Sequence, residues 1–165
     1  MLPESSDTAY ENGGAEIGSG AALHHRALER LYAAAPVNAL FPSRLEIVGE
    51  GRSRLHFTIE PAVFHAAGAA HGTIYFKMLD DAAFYAANTL VTDRFLLTTS
   101  FNLHFTKPVR AGEIVAEGRW ISGRKRVFVA ESRLIDADGD EVGRGTGTFM
   151  RSRIPLSGLD GYRQA

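Results

Sequence analysis

The sequence predicts an α+β fold in which one long helix lies against one curved antiparallel sheet. Three observations carry this. Residues 72–90 form a helix-favouring stretch with no proline and no glycine after its start. Four period-two runs follow it, Phe95 to Thr106, Glu113 to Ser122, Val127 to Ile135 and Glu141 to Met150, with turn sequences between them. Only this one long helix lies between strands, where a doubly wound parallel sheet would need several.

At 165 residues the chain is one domain with room for a real core. A net charge of −1 makes no electrostatic case for nucleic acid or an anionic membrane, and neither is expected as a partner. The absence of cysteine excludes disulfides, thiolate nucleophiles and cysteine-held metals, and is compatible with a reducing compartment. No apolar run is long enough to span a bilayer, and the polar start Met1–Asp7 is unlike a signal peptide. A cytoplasmic protein is expected.

In chain order, residues 1–20 are rich in Gly, Ser, Ala and Glu and read as a flexible tail. The domain is expected over 21–153. It begins with a short amphipathic helix, Ala22 to Ala35, that carries Leu23, Leu28, Leu31 and Tyr32 at helical spacing and ends at Pro36. His24 and His25 read as solvent-facing, since metal binding would need a third ligand. A hairpin follows, Leu45–Val48 and Arg54–Ile59 around Gly49-Glu50-Gly51, and then a Gly/Ala loop from Pro61 to Ala70. In the strand from Phe95, simple alternation puts Leu97, Thr99, Phe101, Leu103 and Phe105 on one face and Thr98, Ser100, Asn102, His104 and Thr106 on the other. Gly143, Gly145 and Gly147 share one face of the last strand, which suggests close packing, with the alanine-rich helix the natural partner. Residues 154–165 read as an exposed C-terminal tail.

On a helical wheel, Tyr75, Phe76, Leu79, Ala82, Ala83, Ala86, Ala87 and Leu90 of the central helix form a broad apolar stripe. Ile74, Met78 and Tyr85 make the helix apolar almost all round, so burial on several sides is expected. Lys77, Asp81 and Asn88 group on another side, where Lys77 reaches Asp81 one turn on as an exposed pair. Asp80 stands apart, at the edge of the stripe beside Phe76, Phe84 and Ala87, with no cation four residues away on either side.

The common catalytic templates are missing: no G-x-S-x-G, no H-E-x-x-H, no phosphate loop and no dinucleotide fingerprint. What remains is Asp80 with the turn His71-Gly72. A carboxylate at the edge of an apolar stripe needs a role or a partner. The Gly72 and Thr73 amides open the helix, where unpaired N–H groups and the macrodipole favour developing negative charge. A carbonyl held there would be polarised, and a carboxylate could attack it or activate water. The alternative is structural: Asp80 bonds to a loop or a partner subunit, and His71 caps or packs.

His71-Gly72-Thr73, Phe76, Leu79-Asp80 and Ala83, followed by Ser100-Phe101-Asn102-Leu103-His104-Phe105-Thr106-Lys107-Pro108-Val109-Arg110-Ala111-Gly112, resemble the hotdog-fold acyl-CoA thioesterases, in particular the phenylacetyl-CoA and 4-hydroxybenzoyl-CoA type. The resemblance spans roughly residues 44–150. It implies a sheet wrapped around the central helix and homodimers joined edge to edge, in many members paired into tetramers. It implies an acyl-CoA substrate, no metal and no cofactor beyond the coenzyme A of the substrate. Asp80 would be the nucleophile or general base, and the Gly72 N–H of the other subunit would polarise the thioester carbonyl. His65 stands where many members have Asn or Gln to place the water, and Thr98 matches an assisting Ser or Thr. His71 is implied to be structural, and Thr73 replaces a commoner glycine and would narrow the acyl entrance. Phe84 suits the acyl tail. The basic turn Arg124-Lys125-Arg126 suits the phosphates of coenzyme A, with Lys107 and Arg110 as weaker candidates. The rival readings are a non-catalytic acyl-CoA-binding domain and a hotdog hydratase or dehydratase; the Asp/His pair typical of the hydratases and the helix Glu typical of the dehydratases are not found.

Overall fold

The computed structural model describes residues 13–163, with side chains from residue 20. Helix α1 (Gly13–Ala34) and the single turn α2 (Val37–Leu40) come first, then strands β1 (Arg44–Gly49) and β2 (Arg52–Ile59). A 3₁₀ turn at Pro61–Val63 leads into the central helix α3 (Gly72–Asn88). Strands β3 (Arg94–Phe105), β4 (Gly112–Ser122), β5 (Val127–Ile135) and β6 (Glu141–Pro155) complete the chain, with a last 3₁₀ turn at Leu156–Gly158. All six strands join one antiparallel sheet in the order β1-β2-β4-β5-β6-β3. The strand that leaves α3 therefore crosses to the far edge. The sheet wraps α3, whose apolar residues Tyr75, Met78, Leu79, Ala82, Ala83, Ala86 and Ala87 are all buried. This is the hotdog arrangement that the sequence resemblance implies.

Alanine and glycine set how close helix and sheet lie. A Cβ on Gly118 of β4 would stand 2.0 Å from the Ala82 carbonyl oxygen, so only glycine fits beneath the helix there. The flanking strands use short hydroxyl side chains, and Ser53 and Ser132 donate to the Ala82 and Leu79 carbonyls at 2.6 and 2.7 Å. The β6 glycines serve a different neighbour from the one expected. Gly145 and Gly147 lie under the ring of Phe101, to which an added Cβ would come within 2.4 and 2.5 Å. Only Gly143 faces α3.

Strand β3 departs from simple alternation. Thr98 lies opposite Phe149 and Ser100 opposite Thr148, so Thr99 is an extra residue, a β-bulge. The bulge flips the face of every residue before it relative to those after it. Phe101, Leu103 and Phe105 share one face as expected, the inner one, but Leu96 and Thr98 share it too, while Leu97 is 47% exposed.

Both ends of the domain differ from expectation. α1 starts at Gly13 rather than near Ala22, so part of the expected tail is helical; residues 1–12 lie outside the described residues. Downstream, β6 runs to Pro155, Leu156 is fully buried, and the Tyr162 hydroxyl lies 2.7 Å from His24 Nδ1. The expected C-terminal tail thus packs on the domain up to Tyr162. His24 is not solvent-facing: it is buried, and its Nε2–H donates to the Asn88 carbonyl at 3.0 Å. Burial lowers the proton affinity of this imidazole.

Candidate active site

Asp80 sits half-buried in the middle of α3, at a cavity of about 270 Å³. α1 and α2 supply one wall with Tyr32, Ala35, Val37 and Asn38; Phe84 and Tyr85 of α3 and Phe95 to Thr98 of β3 supply the others. Phe84 is expected to meet the acyl tail, and its ring lies 5.0 Å from that of Phe95 in this wall. A larger hollow of about 380 Å³ lies across the outer face of the sheet. Its carboxylates Glu117 and Glu131 are already paired with Arg54, Arg133 and Arg119, and it lies away from Asp80.

The bulge in β3 aims Thr98 at Asp80. Its hydroxyl donates to Oδ1 at 3.1 Å and to Oδ2 at 3.4 Å. Burial and then the adjacent Asp81 charge raise the Asp80 pKa to about 6, against the pull of the Thr98 hydrogen bond and of Lys77. A carboxyl poised there is still ionised at neutral pH and is a stronger base than an ordinary aspartate.

Asp81 is not the exposed residue that the helical wheel suggests. Its side chain is 24% exposed, and that of its partner Lys77 only 14%. Lys77 Nζ binds Asp81 Oδ2 at 2.5 Å and donates to the Tyr32 hydroxyl at 3.2 Å. Burial pushes the Asp81 carboxyl up, and Lys77 opposes this. Asn88, placed on the same polar side by the wheel, is fully buried.

At the N-terminus of α3, His71 caps the helix: its Nδ1 accepts from the Thr73 N–H at 3.1 Å. The Ile74 N–H goes to the His71 carbonyl at 2.9 Å. The Thr73 amide, a candidate donor in the sequence, is therefore engaged, and the His71 side chain serves as the helix cap. Among the described residues, nothing accepts from the Gly72 N–H. His65 shapes the preceding loop: its Nδ1 accepts from the Ala67 N–H at 3.0 Å, which leaves Nε2–H as a donor. The His71 N–H donates to the Val63 carbonyl at 2.9 Å, so His65 and Gly72 belong to one loop unit.

Asp80 lies eight residues beyond Gly72 on α3, about 12 Å along the axis at 1.5 Å per residue. One chain therefore places Asp80 with Thr98 and Phe84, and places Gly72 with His65, His71 and Thr73, without bringing the two groups together. The basic turn lies elsewhere again, beside the C-terminal end of α3. The Arg124 guanidinium stacks 4.5 Å from the Trp120 ring and stands 3.9 Å from Glu50. Lys107 is committed to Asp136 and Asp140, at 2.8 and 2.7 Å, and pins the β5–β6 turn rather than offering a free phosphate contact. The sequence reading missed the cavity wall from α1 and α2. Tyr32 was legible as a core position, but nothing in its spacing says that it stands over Asp81. Among the described residues, no cluster of His, Asp and Glu could hold a metal.

The thioesterase superfamily model matches residues 67–143, the stretch that holds Gly72, Asp80 and Thr98. A protein of Saccharolobus solfataricus whose name proposes an esterase is 30% identical over 105 residues, 64% of this chain and 70% of that protein. The chain belongs to the thioesterase superfamily. A thioesterase family protein from Silicibacter pomeroyi superposes with a TM-score of 0.71 at 25% identity, over 78% of this chain and 97% of that one. The E. coli PaaI protein, from the phenylacetic acid degradation operon, gives a TM-score of 0.72 at 18% identity, over 81% and 98%, and shares the fold. A thioesterase-type function follows from membership of this superfamily. No described helix is long and apolar enough to cross a membrane.

Proposed function

We propose that this superfamily member hydrolyses an acyl-CoA thioester as a cytoplasmic homodimer, with each active site shared between two subunits. The observation that carries the reading is Asp80: a half-buried carboxyl with a pKa near 6, oriented by Thr98 at an apolar cavity of acyl size. Its complement, the unengaged Gly72 N–H at a helix N-terminus, is some 12 Å away on the same helix, so a second copy has to supply it. The surface around Asp80 suits such a copy. β3 is an edge strand twelve residues long with open backbone groups. Phe76, Leu97 and Phe105 beside it are 43%, 47% and 54% exposed. Pairing two β3 edges would cover these side chains.

In the shared site the Gly72 amide and the helix dipole stabilise the oxyanion. Asp80 either takes a proton from the attacking water and passes it to the departing thiolate, or attacks the carbonyl itself and forms a mixed anhydride that water then cleaves, regenerating the carboxylate and supplying the proton. In both cases the free acid and the coenzyme A thiol are released. His65, through its free Nε2–H, helps place the water or the nucleophile. Arg124, Lys125 and Arg126 hold the nucleotide end of the substrate. The chemistry calls for no metal and no cofactor.

The test is hydrolysis of short, medium, long and aromatic acyl-CoAs, with sedimentation of the same preparation. Turnover of at least one substrate by a dimer or larger assembly is expected. Acyl-CoA binding without turnover would make the protein a binding domain. Water addition to an enoyl-CoA would make it a hydratase. An active monomer would overturn the shared site.

A further inference from the structure

Beside Asp80, a polar network runs through an otherwise apolar part of the molecule. Lys77 and Asp81 form an i,i+4 pair on α3, and both side chains are more than three-quarters buried. From α1, Tyr32, only 2% exposed, places its ring 5.0 Å below Lys77 Nζ, and its hydroxyl accepts from the same nitrogen. That hydroxyl also hydrogen-bonds Ser43 Oγ, and the Tyr32 ring packs edge-on against Tyr85 at 5.3 Å. A buried ion pair is weak evidence for stability, since an apolar pair of similar volume often serves as well. Its place suggests another role, because Asp81 lines the cavity of Asp80 and Lys77 is held facing it.

We propose that Asp81, fixed by Lys77 and Tyr32, is a positioning residue that keeps Asp80 basic enough to take a proton from water near neutral pH. Two carboxylates at consecutive helix positions share one cavity, and the negative charge of Asp81 opposes ionisation of its neighbour. Lys77 favours the ionised form of Asp81, against the burial that disfavours it. Lys77 is in turn held by Tyr32, so its charge is spent on Asp81 more than on Asp80. The groups facing Asp80 are Asp81 and Lys77 from α3, Tyr32 from α1 and Thr98 from β3; Tyr85 closes the cavity and α2 brings only the neutral Asn38. Of the charged neighbours, Asp81 has the larger effect and Lys77 the smaller, opposite one. The inference rests on the reading of Asp80 as the base.

The experiment is the pH profile of kcat/KM for one good acyl-CoA. Asp81→Asn should move the acid limb to lower pH by roughly one unit, the scale on which a neighbouring charge shifts a carboxyl. It should also lower the alkaline plateau a few-fold, because a weaker base accepts the proton less readily. The double variant Lys77→Met with Asp81→Asn leaves no unpaired buried lysine. Its acid limb should fall between those of Asp81→Asn and the wild type. Asp81→Glu should stay near the wild type. A folded Asp81→Asn, or, if that fails to fold, a folded double variant, with an unmoved acid limb would overturn the proposal and leave the network as a clamp for α1. Asp80→Asn separates the two readings. If it keeps near-full kcat, Asp80 is not the base; if it is inactive while the Asp81 variants titrate like the wild type, only the inference about Asp81 fails.

Discussion

The two ends of α3 are built for different purposes. At the C-terminal end the side chains of Asn88 and Thr89 are fully engaged, and the end is tied to distant parts of the chain through His24 and Gly51. The Asn88 amide donates to the Val91 carbonyl at 3.1 Å and accepts from the Leu96 N–H at 3.2 Å, while the Asn88 carbonyl accepts from His24 of α1. Thr89 accepts from the Gly51 N–H and donates to the Ala86 carbonyl, both at 2.7 Å. The N-terminal end is capped by its own His71 and tied to the rest by Tyr75, which accepts from the Val109 N–H and donates to the Lys107 carbonyl, both at 2.9 Å. The Gly72 N–H is left over. Buried backbone groups are almost always paired, so an end satisfied by remote residues holds the fold, whereas an end with a spare donor, at the positive pole of a helix, is available to a ligand. Asp80 lies between the two, charged and half-buried.

The largest expected effect breaks this comparison in the middle of the helix. Asp80→Asn keeps the shape and removes the base, so kcat should fall by about 10² to 10⁴, the range for a positioned acid–base group. The same variant should not be less stable at neutral pH. The folded-state pKa of Asp80 is raised, to about 6, so the protonated form is the one that the fold prefers. Its contribution is fully present below the ordinary carboxyl pKa and is lost as pH rises through about 6. The wild-type melting temperature should therefore fall between roughly pH 4 and 6 by more than that of Asp80→Asn. Parallel melting curves for the two proteins across that window would refute the buried carboxyl.

At the C-terminal end the order of effects reverses. Asn88→Ala leaves the Leu96 N–H and the Val91 carbonyl without their side-chain partners, at a cost of about 3 kcal/mol. For a domain of this size that lowers the melting temperature by roughly 6–12 °C. The kcat of the folded fraction should change less than twofold. A large loss of kcat with an unchanged melting temperature would mean that the two ends do not divide the work in this way.

What the sequence made legible follows from what each signal can report. Composition and period gave the long helix, the six strands and the fold class, because those depend on each segment's own pattern. The helical wheel placed Asp80 correctly at the edge of the apolar stripe. It misplaced Asp81, since a wheel knows only its own helix and the burial of Asp81 comes from Tyr32 on α1, 49 positions earlier in the chain. Alternation misplaced Leu97 and Thr98 because one extra residue at Thr99 inverts the register, and no residue type there marks a bulge. His24 was missed for a similar reason: its partners are Asn88 and Tyr162, the latter at the far end of the chain. The resemblance supplied Thr98 and Gly72 as roles, and the structure supplies the hydrogen bond to Asp80 and the unengaged amide.

The bulge gives the next prediction. Thr98→Val keeps the volume and removes the hydroxyl that bonds both oxygens of Asp80. That bond favours the ionised form, so its loss should raise the acid limb of kcat/KM above its wild-type position near pH 6. Activity at pH 6 should drop about tenfold, on the scale of one hydrogen bond to a charged group. At pH 8, where the carboxylate is ionised in either protein, the loss should be smaller. An equal loss at both pH values would mean that Thr98 contributes something other than the charge state of Asp80.

The smallest effect concerns the turn Arg124-Lys125-Arg126, which lies beside the C-terminal, fold-holding end of α3 and yet is assigned to substrate. Trp120 connects it to that end: its backbone N–H donates to the Gly51 carbonyl at 2.8 Å, while the Gly51 N–H donates to Thr89. Arg124 stacks on the Trp120 ring, so it could be a stabilising side chain and nothing more. Exposed stacking and a 3.9 Å contact with Glu50 are each worth under ~1 kcal/mol, and replacing all three residues with Ser should lower the melting temperature by only a few degrees. Phosphate contacts of the same exposed kind, about 0.2–1 kcal/mol each, together predict a rise in KM for acyl-CoA of roughly fivefold with kcat unchanged. The rise should shrink at high salt and should be absent for a pantetheine thioester, which lacks the nucleotide. Equal KM changes for both substrates would return the turn to the structural end of the helix, and a melting temperature that falls while KM stays constant would do so more directly.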